Sequence, residues 1–204
     1  MSRSITLTAV LAFCFAFCAT AGTYNKTLSI GDVAPDWKGL EGTDGKRHSL
    51  ADMADKDVIV VCFTCNTCPY AVDYEDRLIG LSRKFAAEGN RCALVAINAN
   101  KVKDDLLPAM QERAKAKGFN FPYLHDETQQ VARSYGATFT PEFVVLNKDR
   151  KVVYLGAMDD SSDGKSITKR YLEDAIAAAT AGKLPTVTET PAVGCAVRYV
   201  RERK

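Results

Sequence analysis

Two cysteines two residues apart, Cys65-Asn66-Thr67-Cys68, stand directly before Pro69 and just after the apolar run Val58-Ile59-Val60-Val61-Cys62-Phe63. This order predicts a buried strand that delivers two thiols to the first turn of a helix. The short spacer keeps the sulfurs close enough to join in a small disulfide ring. The unpaired amides and positive dipole end of a helix start favour a thiolate over a thiol. Proline fits there, because its missing N–H would have had no partner. The chemistry is exchange between a dithiol and a disulfide. Cys65, first in the pair, is expected at the more exposed helix mouth as the nucleophile. Cys68, one turn inside, is expected to resolve the mixed disulfide. A structural disulfide or half of a zinc site is the plain alternative. A zinc site needs a second ligand pair, and the only histidines, His48 and His125, do not supply one.

Seven cysteines are present. Cys14 and Cys18 lie in an N-terminal stretch that reads as a secretory signal: Arg3 gives a positive charge, residues 5–17 are apolar, and Ala19-Thr20-Ala21 is a small-residue cleavage site. The apolar run is short for a membrane span of roughly 20 residues. Residues 1–21 are therefore assigned to the signal, and the rest is expected outside the cytoplasm, periplasmic or secreted, with no membrane span once the signal is gone. Cys62, Cys65, Cys68, Cys92 and Cys195 remain, an odd set with one close pair. That favours a working redox pair over disulfide staples. Cys62 and Cys92 read as small buried apolar residues. Cys195 follows Gly194 in a Pro-containing tail. It reads either as part of a tail packed on the core or as an extra redox thiol that reaches the dithiol.

The formal charge of +2, from 27 basic and 25 acidic residues, gives no basic field for nucleic acid or an anionic membrane surface. The charged stretches 101–105 and 112–117 read as solvated loop or helix faces.

Residues 31–50, with Asp44-Gly45, read as loops and a short hairpin, and Ser49 to Asp52 as one helical turn. Strands are expected at 58–63, 92–98, 121–124, 143–146 and 152–155, the last two as an antiparallel hairpin. Helices are expected at 69–87, with Tyr70, Tyr74, Leu78, Leu81 and Phe85 on one face, and at 105–117, with Leu106, Leu107, Met110 and Ala114 inward. Two more are expected at 127–135 and 166–180. The order predicts an α/β fold in which helices flank a mixed central sheet. It forms one domain over residues 22–186, followed by an irregular tail, 187–204.

Thr140-Pro141 precedes the apolar run Phe143-Val144-Val145-Leu146. Together with Cys65 to Pro69, it makes the chain resemble the thioredoxin superfamily. That resemblance implies a thioredoxin-like fold, here with an N-terminal hairpin extension. It also implies a cis proline, Pro141, facing the dithiol, and backbone groups of Thr140 offered to an incoming peptide or thiol. Ala34-Pro35-Asp36-Trp37, Asp44-Gly45-Lys46, Phe121-Pro122-Tyr123-Leu124, Tyr135-Gly136-Ala137 and Gly156-Ala157-Met158-Asp159-Asp160 narrow it to the redoxin branch, the relatives of alkyl hydroperoxide reductase and thiol-specific antioxidant. Pro191 to Cys195 is similar to the close of a thioredoxin-like subgroup of that branch. The chain departs from these relatives in two places. Peroxiredoxins have Thr or Ser three residues before the peroxide-attacking cysteine and Pro seven before it. Cys62 and Val58 stand there for Cys65, and Cys65 and Val61 for Cys68, which counts against peroxidase chemistry. Thioredoxins have an Asp six residues before the first cysteine; Ile59 stands here. Water, Glu142, Asp73 or Glu75 are the remaining candidates for a proton acceptor.

The expected function is that of an exported thiol–disulfide oxidoreductase acting on protein or small-molecule thiols and disulfides with an unidentified electron partner. Cys65 and Cys68 are the catalytic pair, supported by Pro69, Thr140 and Pro141. No cofactor or resident metal is expected. The alternatives are a copper(I)-binding module holding the metal on the two thiolates with His125 as a third ligand, and a thiol peroxidase.

Overall fold

The computed structural model describes residues 22–201. Residues 1–21, expected to be a signal and holding Cys14 and Cys18, lie outside the described residues. Beyond a lead-in, the chain forms a hairpin of β1 (Leu40–Gly42) and β2 (Arg47–His48), followed by a short 3-10 turn at Leu50–Met53. The core strand β3 (Val58–Phe63) runs into helix α1 (Pro69–Phe85). Next come β4 (Cys92–Asn98), α2 (Leu107–Lys117), β5 (Tyr123–His125) and α3 (Gln130–Ser134). The two-residue strand β6 (Phe139–Thr140), β7 (Glu142–Leu146), β8 (Val152–Gly156), α4 (Tyr171–Thr180) and β9 (Cys195–Ala196) complete it.

A seven-stranded sheet has the order β2-β1-β5-β4-β3-β7-β8. β3, β4 and β5 are parallel, while β7, β8 and the N-terminal hairpin run antiparallel to their neighbours. Every residue of β3 is buried, because both faces of the sheet are covered. Val58, Val60 and Cys62 pack with Tyr74, Leu78, Met110 and Leu172 on one side. Ile59, Val61 and Phe63 pack with Trp37, Val131, Tyr135 and the tail residue Val197 on the other. In the parallel register Val58 pairs with Cys92 and Cys62 with Ala96, so Cys62 and Cys92 lie at opposite ends of the sheet. Among the described residues no helix is long and apolar enough to cross a membrane.

Several boundaries differ from the sequence expectation for local reasons. The expected helix from Asp105 is broken: Lys103–Asp105 is a short 3-10 turn, Leu106 is extended with ψ 160°, and α2 starts at Leu107. Leu106 is exposed, not inward. α3 starts late because Gln129 sits in the left-handed region, φ 63°. α4 starts at Tyr171 because the Asp160 carboxylate holds the Thr168 and Lys169 amides in a preceding loop. Tyr70, expected on the buried face of α1, is exposed in its first turn. The tail, expected to be irregular, docks through β9 and through a parallel bridge between Glu189 and Leu155.

Candidate active site

The site lies past the carboxyl ends of the parallel strands β3 and β4, where open α/β sheets commonly bind ligands. β3 ends at Phe63, and the Thr64 amide donates to the Ile97 carbonyl at 2.9 Å. The chain then turns through Cys65-Asn66-Thr67 into Cys68, which is the N-cap of α1, with Pro69 in the first turn. The structure brings Cys65 and Cys68 together with Ala71 in one packed cluster, against which Cys195 rests. The Thr140–Pro141 peptide bond is cis. Thr140 faces both sulfurs: its hydroxyl is 3.3 Å from Cys65 Sγ, and its carbonyl accepts from the Cys68 thiol at 3.0 Å. All five described cysteines are unbridged.

The two thiols differ in a way the sequence did not lead us to expect. Cys65 is not the exposed member; both are buried, at 3% and 2% exposure, because Thr140 and the tail close over them. Burial pushes the Cys65 thiol up, the nearby Asp105 charge adds to this, and donation from Thr140, the Cys68 amide and Thr67 offsets only part of it. For Cys68, burial also opposes the thiolate. The Cys195 thiol, the Ala71 and Cys195 amides and the Thr140 hydroxyl outweigh it, so Cys68 falls below the usual cysteine range. Cys68 therefore takes the helix-start position that favours a thiolate. Cys195 is pushed up to about 11, chiefly because its proton is held by Cys68. Cys62 is fully buried, and burial raises its thiol far out of reach of ionisation.

The spacer is fixed by a residue that sequence reasoning placed in a solvated charged loop. Asp105 is fully buried. One carboxylate oxygen accepts the Asn66 and Thr67 amides at 2.7 and 3.2 Å, and the other accepts the Thr67 hydroxyl at 2.7 Å and the Asn100 amide at 3.0 Å. Asn66 in turn accepts from Tyr123 Oη at 2.9 Å and donates to the Asp104 carbonyl at 2.8 Å. Asn98 donates to Tyr123 Oη at 3.1 Å. A buried charge is tolerated when it is this fully hydrogen-bonded. The available signal was Asn98 and Asn100 at the end of an otherwise apolar strand, where buried polar groups need partners.

Two of the candidate proton acceptors, Glu142 and Glu75, are occupied elsewhere. Glu142 is buried, not a surface charge. Its Oε2 accepts the Thr138 and Phe139 amides at 2.8 and 3.0 Å, which fixes the strand before Pro141. Glu75 is buried in a bidentate pair with Arg113 at 2.8 and 2.9 Å. Asp73 is exposed. Phe63 is a core residue whose ring lies tilted against that of Tyr135, with centroids 5.6 Å apart, whereas Tyr70 beside the dithiol is exposed. His125 sits at the β5 end paired with Glu41 and Asn98. Among the described residues no three His, Cys, Asp or Glu side chains gather closely enough to hold a metal ion, so the copper set of Cys65, Cys68 and His125 is not assembled.

The redoxin family model matches residues 29–175 of this chain. The chain belongs to the redoxin family. Its structure is similar to that of a hypothetical protein from Sinorhizobium meliloti 1021, with 31% identity and a TM-score of 0.79, covering 89% of this chain and 100% of that one. It is as similar, with 30% identity and a TM-score of 0.79, to an uncharacterized conserved protein from Geobacillus kaustophilus, over 88% of this chain and 96% of that one. The fold alone is shared with a thiol:disulfide interchange protein of the thioredoxin family from Chlorobium tepidum TLS, at 21% identity and TM-score 0.55, over 66% of this chain and 90% of that one. No curated protein matches. This redoxin has the thioredoxin-like fold, a mixed sheet flanked by helices.

Proposed function

We propose that this redoxin is an exported thiol–disulfide oxidoreductase whose Cys65–Cys68 pair cycles between dithiol and disulfide. One observation carries the reading: a single residue, Thr140, touches both sulfurs, its hydroxyl at Cys65 and its carbonyl at Cys68. That is an arrangement of two thiols poised to join, with Cys68 at the helix start in the position of the thiolate. Cys68 then attacks or leaves, and Cys65 closes the ring. The substrates are thiols or disulfides of proteins or small molecules, and an electron partner resets the pair. Export rests on the charged, apolar and small-residue pattern of residues 1–21.

Equilibration of the purified chain in glutathione buffers tests this. A single two-electron transition, within roughly −120 to −300 mV, is expected and should vanish in Cys65→Ser and Cys68→Ser when read as the disulfide within the peptide holding both residues. Iodoacetamide at neutral pH should modify Cys68 ahead of Cys65. A wild-type chain that never forms the Cys65–Cys68 bond across that range removes the proposal.

A further inference from the structure

The buried state of both sulfurs raises the question of how a partner reaches them, and the tail supplies the sulfur nearest to solvent. β9 lies antiparallel on β6, with Thr140 opposite Cys195 and Phe139 opposite Ala196. Gly194 makes this approach possible, since a Cβ there would lie 2.0 Å from the Thr140 carbonyl oxygen. The approach is anchored beyond the strand as well. The Val197 amide donates to the Thr138 carbonyl at 2.9 Å, the Arg198 amide to Asn100 at 2.8 Å, and the Val200 amide to Gln129 at 2.8 Å. The result places the Cys195 amide 3.3 Å from Cys68 Sγ, with the Cys195 side chain packed against the cluster of Cys65, Cys68 and Ala71. Cys195 is half-buried, whereas Cys65 and Cys68 are sealed.

We infer that Cys195 is a third exchange thiol, which moves the disulfide from the buried Cys65–Cys68 pair to a Cys68–Cys195 bond on the tail strand. The inference rests on the dithiol reading above. In this step the Cys195 sulfur attacks Cys68 Sγ, the Cys65–Cys68 bond breaks, and the Cys68–Cys195 bond forms. The proton lost by Cys195 ends on Cys65, and no electrons enter or leave. The disulfide then sits at a half-exposed sulfur, where the thiol of a partner can attack Cys195 and release Cys68. Cys68 suits both disulfides, because the groups that hold its thiolate make it the better leaving sulfur when the partner attacks.

The test is mass spectrometry of the purified full chain, equilibrated in glutathione buffers, acid-quenched, alkylated and digested with trypsin without reduction. Cys65 and Cys68 share the peptide 57–77, and Cys195 lies on 184–198, so a Cys195 bond appears as two linked peptides. The linked pair is expected in the wild type, to become the main disulfide in Cys65→Ser, and to be lost in Cys68→Ser. Adding Gly194→Ala to Cys65→Ser should lift the strand from β6 and abolish the link; retention at the parent level overturns the role of strand docking. Cys195 recovered fully alkylated in wild type and Cys65→Ser at every glutathione ratio overturns the inference. So does a link that persists in Cys68→Ser. Cys195→Ser separates the two readings. A Cys65–Cys68 bond formed there, with no link in the wild type, leaves the dithiol reading standing and the third thiol refuted. Absence of that bond in Cys195→Ser refutes both.

Discussion

The dithiol is held from two sides, and the sides are built differently. On the spacer side, a buried carboxylate, Asp105, gathers the Asn66 and Thr67 amides, the Thr67 hydroxyl and the Asn100 side chain. On the tail side, the contacts are mainly backbone bonds from residues 195–200 to β6, Asn100 and Gln129. The spacer side stabilises through one fully buried carboxylate that gathers four donors. The tail side stabilises through several separate part-buried bonds spread along residues 195–200. The same pair of sulfurs thus has a fixed wall, built on one carboxylate, and a more removable one, built on bonds that can be lost one at a time.

The largest effect should come from breaking the fixed wall. Asp105→Ala strands four donors at once and is expected to cost on the order of 3 kcal/mol, read by urea unfolding; a loss below about 1 kcal/mol would mean the spacer holds itself. A smaller effect should come from thinning the removable wall. Cys195→Ala deletes a donor to Cys68, so thiolate absorbance of the reduced chain should titrate at higher pH with little change in unfolding midpoint. An unmoved titration would separate Cys195 from the Cys68 charge. The smallest concerns Glu142, which fixes the strand on which the tail docks. Burial holds its carboxyl above the ordinary range, although the Thr138 and Phe139 amides donate to it. The folded chain then keeps that proton to higher pH than the unfolded chain, so stability falls as pH rises from the ordinary carboxylate range through the raised value. Glu142→Gln keeps an oxygen for the two amides and should flatten that part of the pH–stability curve. An unchanged slope would assign it to another buried acid, such as Asp126, whose carboxyl burial also raises.

The strands β3, β4, β7 and β8 were legible because continuous apolar runs admit few other fates in a chain of this composition. The dithiol, its helix and the Thr140-Pro141 pair were legible because their spacing is local. What escaped was decided by contacts distant in sequence. Asp105 sits in a run of charges, and only its meeting with Asn66 and Thr67, about forty positions earlier, makes it a structural residue. The burial of both thiols escaped for the same reason. Cys68 is the N-cap itself, and the tail that packs on the thiol cluster and brings the Cys195 amide to Cys68 arrives from the far end of the chain. Cys195 was open to two readings in sequence because a glycine before a cysteine does not say what backbone it will approach.

Asn100 joins the two walls, since its amide nitrogen donates to Asp105 and its oxygen accepts from the Arg198 amide. A side-chain amide, with a donor and an acceptor on one group, can face both ways at once. Deamidation at that position would exchange the donor for a second negative charge 3.0 Å from Asp105 and force one of the two carboxyls to take up a proton or turn away. A single slow hydrolysis, with no cysteine touched, would then loosen both sides of the redox centre together, so chemical ageing of this protein should register first as altered thiol behaviour.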